Sequence, residues 1–222
     1  MALLGNAAML LWYDIVPEDI AAHDAWHTRE HFPERVGIPG FLRAQRWVAA
    51  SATGPRYLVI YEVIDIDVLS GGPYLERLNH PTPWTQRTMP SFRGMTRGFC
   101  TVRQRLGTVL GSSALSIRFT CGAADKARLE AWLDQALSAL MQRDGVTSAF
   151  WLESGAAPEM TREQSIRGRD AGVDQVLLVT GYSGEAIEAL ALDLSAQAMV
   201  EKGAAADAAA GIYHLACLSQ RA

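Results

Sequence analysis

The chain carries 222 residues, 49% apolar and 20% charged, with a formal net charge of −4; that length admits one large domain or two of about 110 residues. With no basic stripe, nucleic acid is not an expected partner, and with no apolar run near the roughly 18 residues needed to span, neither is a membrane. Cys100, Cys121 and Cys217 are scattered and odd in number, which fits a reducing cytoplasm better than a disulfide framework or a zinc site.

Met9 to Asp14 reads as a short apolar strand. No basic region precedes it, so the N-terminus is not read as a secretion leader. Pro17 to about Phe32 has helical content, with Pro17 as a first helical residue. Pro39-Gly40 is a turn, and Phe41 to Ala49 and Tyr57 to Val63 are strands. Asp67 to Asn79 holds a helix interrupted near Gly71-Gly72. Pro81 to Phe92 is a proline-punctuated connection with room for one short helix, and Met95 to Arg105 is a strand. The same order then returns: a strand over Val109 to Thr120, an amphipathic helix over Ala124 to Arg143, strands over Val146 to Glu153 and Gln175 to Tyr182, a helix over Gly184 to Val200, and a last strand over Gly211 to Ser219.

Residue matches agree with the repeated order. Asp19 to Trp26 aligns with Asp125 to Trp132 at Asp, two Ala and Trp; after one deletion, Gly40 to Ala44 aligns with Gly145 to Ala149. Such repeats fix an architecture. A βαββαβ unit covers one sheet face with its helices and leaves the other to be buried. The expected fold is therefore α+β: two tandem ferredoxin-like βαββαβ repeats, residues 1–107 and 108–222, with antiparallel sheets packed face to face as a dimeric α/β barrel within one chain. A homodimer is compatible with this but not needed to complete the barrel. The second repeat departs in the long polar connection Glu153 to Asp174, and loops of that length are functional or mobile.

The repeat supplies an internal control. On a wheel of about 100° per residue, Leu129, Trp132, Leu133, Ala136, Leu137 and Leu140 form one apolar sector of the second repeat's first helix. The aligned positions of the first repeat are His23, Trp26, His27, Glu30, His31 and Glu34. Burying these polar groups without partners costs several kcal/mol, so they either line a wet pocket or face solvent on a rotated helix. The i, i+4, i+8 spacing of the histidines also admits a metal, but no Cys, Asp or Glu cluster completes a tetrahedral set. Arg43, Gln45 and Trp47 share a strand face, as do Arg97, Arg103 and Arg105; such arginines either hold an anion or snorkel at the rim. Tyr74, Trp84 and Thr85 are placed to frame a pocket mouth. No GxGxxG, GxSxG, Walker A or HExxH motif is present, which weighs against nucleotide, triad and zincin chemistry.

The run Trp26-His27-Thr28-Arg29-Glu30-His31-Phe32-Pro33-Glu34-Arg35, followed by Ile38-Pro39-Gly40-Phe41, resembles the EthD-like branch of the dimeric α/β-barrel superfamily, with its W-x-x-x-E-H-x-P-E-R helix and P-G-F turn. Tyr57 to Glu62 and Pro81 to Thr85 are similar to the same group. The resemblance covers roughly residues 9–105; the second repeat lacks the Glu-His pair and is expected to be structural. It implies His31 and Glu30 as catalytic residues, with Trp26 and Arg35 as supports.

Two readings follow. In one, the protein is an enzyme without cofactor, of monooxygenase, cyclase or isomerase type, acting on a small aromatic or polyketide-like compound. His31 is then the general acid or base, oriented by Glu30 or Glu34, and His23, Trp26, His27, Glu34, Arg43, Tyr74 and Trp84 contact substrate. In the other it binds a small hydrophobic ligand without turnover. Haem or metal binding through the helix histidines is a third alternative.

Overall fold

The computed structural model describes residues 3–221; Met1, Ala2 and Ala222, the outermost residues of the expected repeats, lie outside them. The first half runs β1 (Ala7–Ile15), α1 (Ile20–Trp26), a π-helical turn (His27–His31), α2 (Phe32–Val36), β2 (Phe41–Ala49), β3 (Tyr57–Val63), α3 (Gly72–Asn79), α4 (Pro83–Thr88) and β4 (Phe92–Leu106). The second runs β5 (Ser113–Phe119), α5 (Lys126–Leu140), β6 (Val146–Ser154), α6 (Arg162–Arg167), β7 (Gln175–Gly181), α7 (Gly184–Asp193), α8 (Ala196–Glu201) and β8 (Ala209–Gln220). Three sequence expectations change in detail. The strand expected from Val109 starts only at Ser113, and the helix expected over Gly184 to Val200 is two helices, the second capped by the Ser195 hydroxyl on the Ala198 N–H. The connection from Glu153 to Asp174 is ordered around α6.

The strands close into one antiparallel barrel in the order β1-β3-β2-β8-β5-β7-β6-β4. Each half keeps its four strands together, so the fold is a dimeric α/β barrel made by a single chain. The two sheets do more than face each other: β2 pairs with β8 and β4 with β6, so neither sheet has a free edge. Equivalent strands share register, with Ala7 opposite Val63 in the first half and Ser113 opposite Gly181 in the second. Gly40 and Gly145, aligned in sequence, both end the first helical arm at positive φ, +91° and +87°, a conformation in which only glycine is unstrained.

Alternation along the strands makes three apolar cores. Leu10, Trp12, Trp47, Leu58, Ile60, Phe150, Leu152, Val176 and Leu178 fill the barrel interior. On the outside, Leu115, Ile117, Phe119, Leu177 and Val179 meet Leu129, Leu133 and Leu137 of α5 and Ile187 of α7. On the other side Met9, Leu11, Tyr13, Val59 and Tyr61 meet Trp26, Phe32 and Val36 of the first helical arm. Among the described residues no helix is long and apolar enough to cross a membrane.

The two helical arms differ by one residue. Ala7 and Ser113 open equivalent strands, as do Phe41 and Val146, yet the first half has one residue more between these points. The π-helical turn absorbs it. There the Phe32 N–H bonds to His27 O, five residues back, which opens the turn just before Pro33, a residue with no N–H whose ring would press on the carbonyl four residues earlier. Past that turn the wheel of an unbroken α-helix fails. Arg35, not Glu34, occupies the place of Leu140: Arg35 is buried and Glu34 only half-buried.

Leu133 is fully buried in the second-half core, and its shortening leaves a cavity between α5 and the sheet. Leu133→Ala should lower the unfolding free energy in urea by about 2–5 kcal/mol; a loss under 1 kcal/mol would show that this core is not packed as described.

Candidate active site

Between the first helical arm and the outer face of its own sheet lies a narrow slot. Its walls are Met9, Leu11 and Tyr13 of β1, Val59 and Tyr61 of β3, and Met95 and Arg97 of β4. Trp26, His27, His31 and Arg35 come from the helix, Tyr74 from α3, and Glu163 and Arg167 from α6; Met89 and Phe92 complete it. The slot and its mouth span about 400 Å³ of non-atom space, of which the centre of a water molecule can occupy only about 30 Å³. That smaller volume holds a few waters.

The three histidines lie on the buried side of the helix, at 0%, 2% and 7% exposure for His23, His27 and His31, and only the last two border the slot. His23 is saturated: Nδ1 donates to Asp24 Oδ1 at 3.0 Å and Nε2 accepts from the Tyr13 hydroxyl at 3.0 Å. Asp24 in turn accepts from the Tyr57 hydroxyl at 2.8 Å. His27 shares a 3.2 Å hydrogen bond with the Tyr61 hydroxyl through Nε2, while its buried Nδ1 has no partner. His31 has no hydrogen-bond partner on either ring nitrogen among the described residues, and its Nδ1 lies 4.0 Å from Glu34 Oε2. Its ring packs on Trp26, with centroids 4.3 Å apart.

Burial sets the charge state. It pushes the His31 imidazolium well below the ordinary histidine value, and the Arg35 guanidinium adds to that. His27 moves well down for the same reason, with His23 next in weight. Both are neutral near pH 7. Burial raises the Tyr61 phenol well above its usual value and lifts the Glu34 carboxyl.

The other expected site residues divide. Trp26 and Tyr74 line the slot; the Trp26 indole N–H reaches Glu30 Oε1 and Thr85 Oγ1 at 3.2 Å each, and the Tyr74 hydroxyl meets Met9 Sδ at 3.3 Å. Glu30 does not pair with His31. Its Oε1 accepts from Thr82 Oγ1 at 2.6 Å, from the Trp26 indole and from Thr85 Oγ1 at 3.3 Å, which fastens the helix to the start of α4. Glu34 also turns from the slot and takes Arg35 Nη1 at 2.9 Å, because the extra residue of the π turn rotates it outward. Arg43 points to the opposite sheet face, where its guanidinium meets Glu62 at 2.7 Å and Gln45 also donates to that carboxylate. Trp84 packs partly buried against the outer core, away from the slot. Among the described residues no three His, Cys, Asp or Glu side chains group as a metal would require.

The sequence reading missed the cover. The connection after β6 folds back over the slot, with Ala171 pairing to β4 through Arg97 N–H···O Ala171 and Ala171 N–H···O Met95, both 2.9 Å. Glu163 meets Arg35 Nη2 at 2.6 Å. Asp170 meets Arg97 Nη2 at 2.9 Å and Arg167 Nη2 at 2.7 Å. Nothing in the first half of the sequence signals that its site is completed by the second. The hints available were the length of the connection, which marks it as functional or mobile, and its pairing of acids and arginines, Glu163, Arg167 and Asp170.

No protein-family model and no curated protein sequence matches the chain. Solved structures match its fold throughout. An anthrone oxidase-like protein superposes with a TM-score of 0.67 at 13% identity, covering 99% of this chain and 95% of its own. A candidate monooxygenase from Fusobacterium nucleatum gives 0.59 at 7%, covering 99% and 96%. Another from Lactobacillus acidophilus gives 0.58 at 9%, covering 96% and 95%. At such identities the likeness is one of fold.

The buried histidines carry an acid sensitivity. Their folded-state values lie below the unfolded ones, so as pH falls through about 6.5 the unfolded chain takes up protons that the native state refuses, and stability drops. His27→Leu removes one such group. Its unfolding free energy in urea should therefore fall less between pH 7 and pH 5 than the parent's, by up to about 1.4 kcal/mol per pH unit. An equal or steeper fall in the variant would mean that His27 protonates freely in the native state.

Proposed function

We propose that the slot is the active site of a cofactor-independent oxygenase or oxidase acting on a small aromatic, polyketide-like compound. The observation that carries this reading is His31, an uncharged imidazole at the slot wall with both ring nitrogens free of protein hydrogen bonds. A neutral histidine whose lone pair is not engaged is a general base ready for a proton. The fold-level likeness to an anthrone oxidase-like protein and to candidate monooxygenases supports the same class.

In this reading a flat phenolic substrate lies against Met9, Leu11, Val59 and Met95, and His31 removes a proton from an activated methylene or hydroxyl. The resulting carbanion is delocalised over the ring. Arg35, Arg97 and Arg167, which line the slot, favour its negative charge in a site from which water is largely excluded. Dioxygen is the oxidant. The carbanion transfers an electron to it, the two radicals combine as a peroxide, and loss of water leaves a carbonyl: one methylene and one dioxygen give one ketone and one water. The base returns its proton in the step that releases water. His27 and Tyr61 form the polar pair beside this base, and Trp26 fixes the plane of its ring.

His31→Asn keeps a polar side chain of similar size and removes the base. On an anthrone probe, followed by oxygen uptake, it should lower kcat by about 10²–10⁴-fold. In the parent enzyme kcat/KM should rise with pH through the depressed His31 value and be level at pH 7. Parent-like turnover in His31→Asn would end this reading. Binding of the anthrone with no turnover by the parent would leave a ligand-binding protein.

A further inference from the structure

Beneath the cover two arginines are gathered on one carboxylate. Arg97 and Arg167 share one carboxylate, that of Asp170. Arg167 takes both its oxygens, at 3.0 and 2.7 Å, and Arg97 takes one at 2.9 Å. Gln164 Nε2 donates to the same group at 3.2 Å. All three charged side chains are 5–7% exposed. The other acid on the slot wall, Glu163, is committed to Arg35. Arg35 holds a second carboxylate, Glu34, so the three arginines and three acids balance in number but not in place: at Asp170 two buried guanidiniums crowd one carboxylate, and each of them keeps a buried Nε–H with no acceptor among the described residues. Two orphaned buried donors beside a locally crowded positive charge cost stability in a protein interior. They cost nothing of the kind if a ligand anion completes the set, since a carboxylate has lone pairs to accept from both guanidiniums.

We propose that the substrate carries a carboxylate on its aromatic framework and that Arg97 and Arg167 bind it, at the end of the slot covered by α6. This rests on the slot being the ligand site and refines that reading by naming the substrate class: an aromatic carboxylate, with the acid group under the cover and the ring running toward His31. It also gives the cover a purpose. Arg167 and Asp170 belong to the connection after β6 while Arg97 belongs to β4, so binding the carboxylate draws the cover and the barrel wall onto one anion. An uncharged analogue lacks that grip.

The test compares acids with their isosteric amides, benzoate with benzamide and 2-naphthoate with 2-naphthamide, by calorimetry on the full chain. Each acid should bind about tenfold or more tightly than its amide, as expected for charge-assisted hydrogen bonds to buried donors. Arg97→Gln and Arg167→Gln should each bring the acid to within about threefold of the amide, while amide binding changes little. Arg167→Gln is the safer variant, because Asp170 keeps Arg97 and Gln164 as partners. Equal affinity for acid and amide, a preference that survives both substitutions, or no binding of either acid would each overturn the proposal. Because binding is read without turnover, a retained acid preference with no His31-dependent oxygen uptake would remove the oxidase reading and leave this one standing.

Discussion

Closure of the barrel is the constraint from which the other features follow. Once β2 bonds to β8 and β4 to β6, every strand has a partner on both sides and each residue faces either the interior or the helices. The interior is shared by both halves and filled with large side chains such as Trp12, Trp47 and Phe150. It leaves room for one buried ionic cluster, Arg43 with Glu62 and Gln45, and that cluster belongs to packing rather than to the slot. Chemistry is thereby displaced to an outer face, beneath a helix.

Two outer faces are available, and they are used differently. Over β5 and β7 the helix lays down leucines and the face is a core. Over β1 and β3 the equivalent helix lays down histidines, and hydrophobic stabilisation of roughly 1.5–3 kcal/mol per site is given up. Part of that is recovered where His23 bonds to both Asp24 and Tyr13. The remainder is not: among the described residues His31 has no hydrogen-bond partner and His27 has only one. The unrecovered part coincides with the slot. The π-helical turn sits between these residues, and by adding one residue it carries Arg35 inward to meet Glu163.

The cover ties the halves together chemically as well as structurally. Its arginines and acids are buried, so desolvation offsets much of their attraction, while removing one partner costs more than breaking an exposed pair because it strands a buried charge. The same links that hold it down over Arg35 and Arg97 place Arg167 beside the slot. The segment is held by these ion pairs, by its short bridge to β4, by Arg162 N–H on Asn79 Oδ1 and by the burial of Val173 in the barrel core.

What the sequence determined by itself was whatever depends on local pattern and on repetition. The element order, the barrel built from two equal halves, the paired turns at Gly40 and Gly145, and the contrast between the histidine face and the leucine face were all legible, because periodicity and alignment carry them directly. Comparing the halves left His27 and His31 either lining a pocket or facing solvent on a rotated helix, and the fold placed them on the buried side. The tertiary structure alone decided the rest. The Glu-His motif of the resemblance implies Glu30 beside His31, yet adjacent residues on a helix point about 100° apart, and Glu30 bonds to Thr82 and Thr85. Glu34 was misplaced because one inserted residue shifts the phase of every later position. Arg43 alternates to the other sheet face, and Trp84 lies on a helix whose rotation the sequence did not fix. Glu163, Arg167 and Asp170 are far from the histidines along the chain, and only the folding back of their segment onto β4 brings them to the slot; no local signal encodes a contact made across that distance.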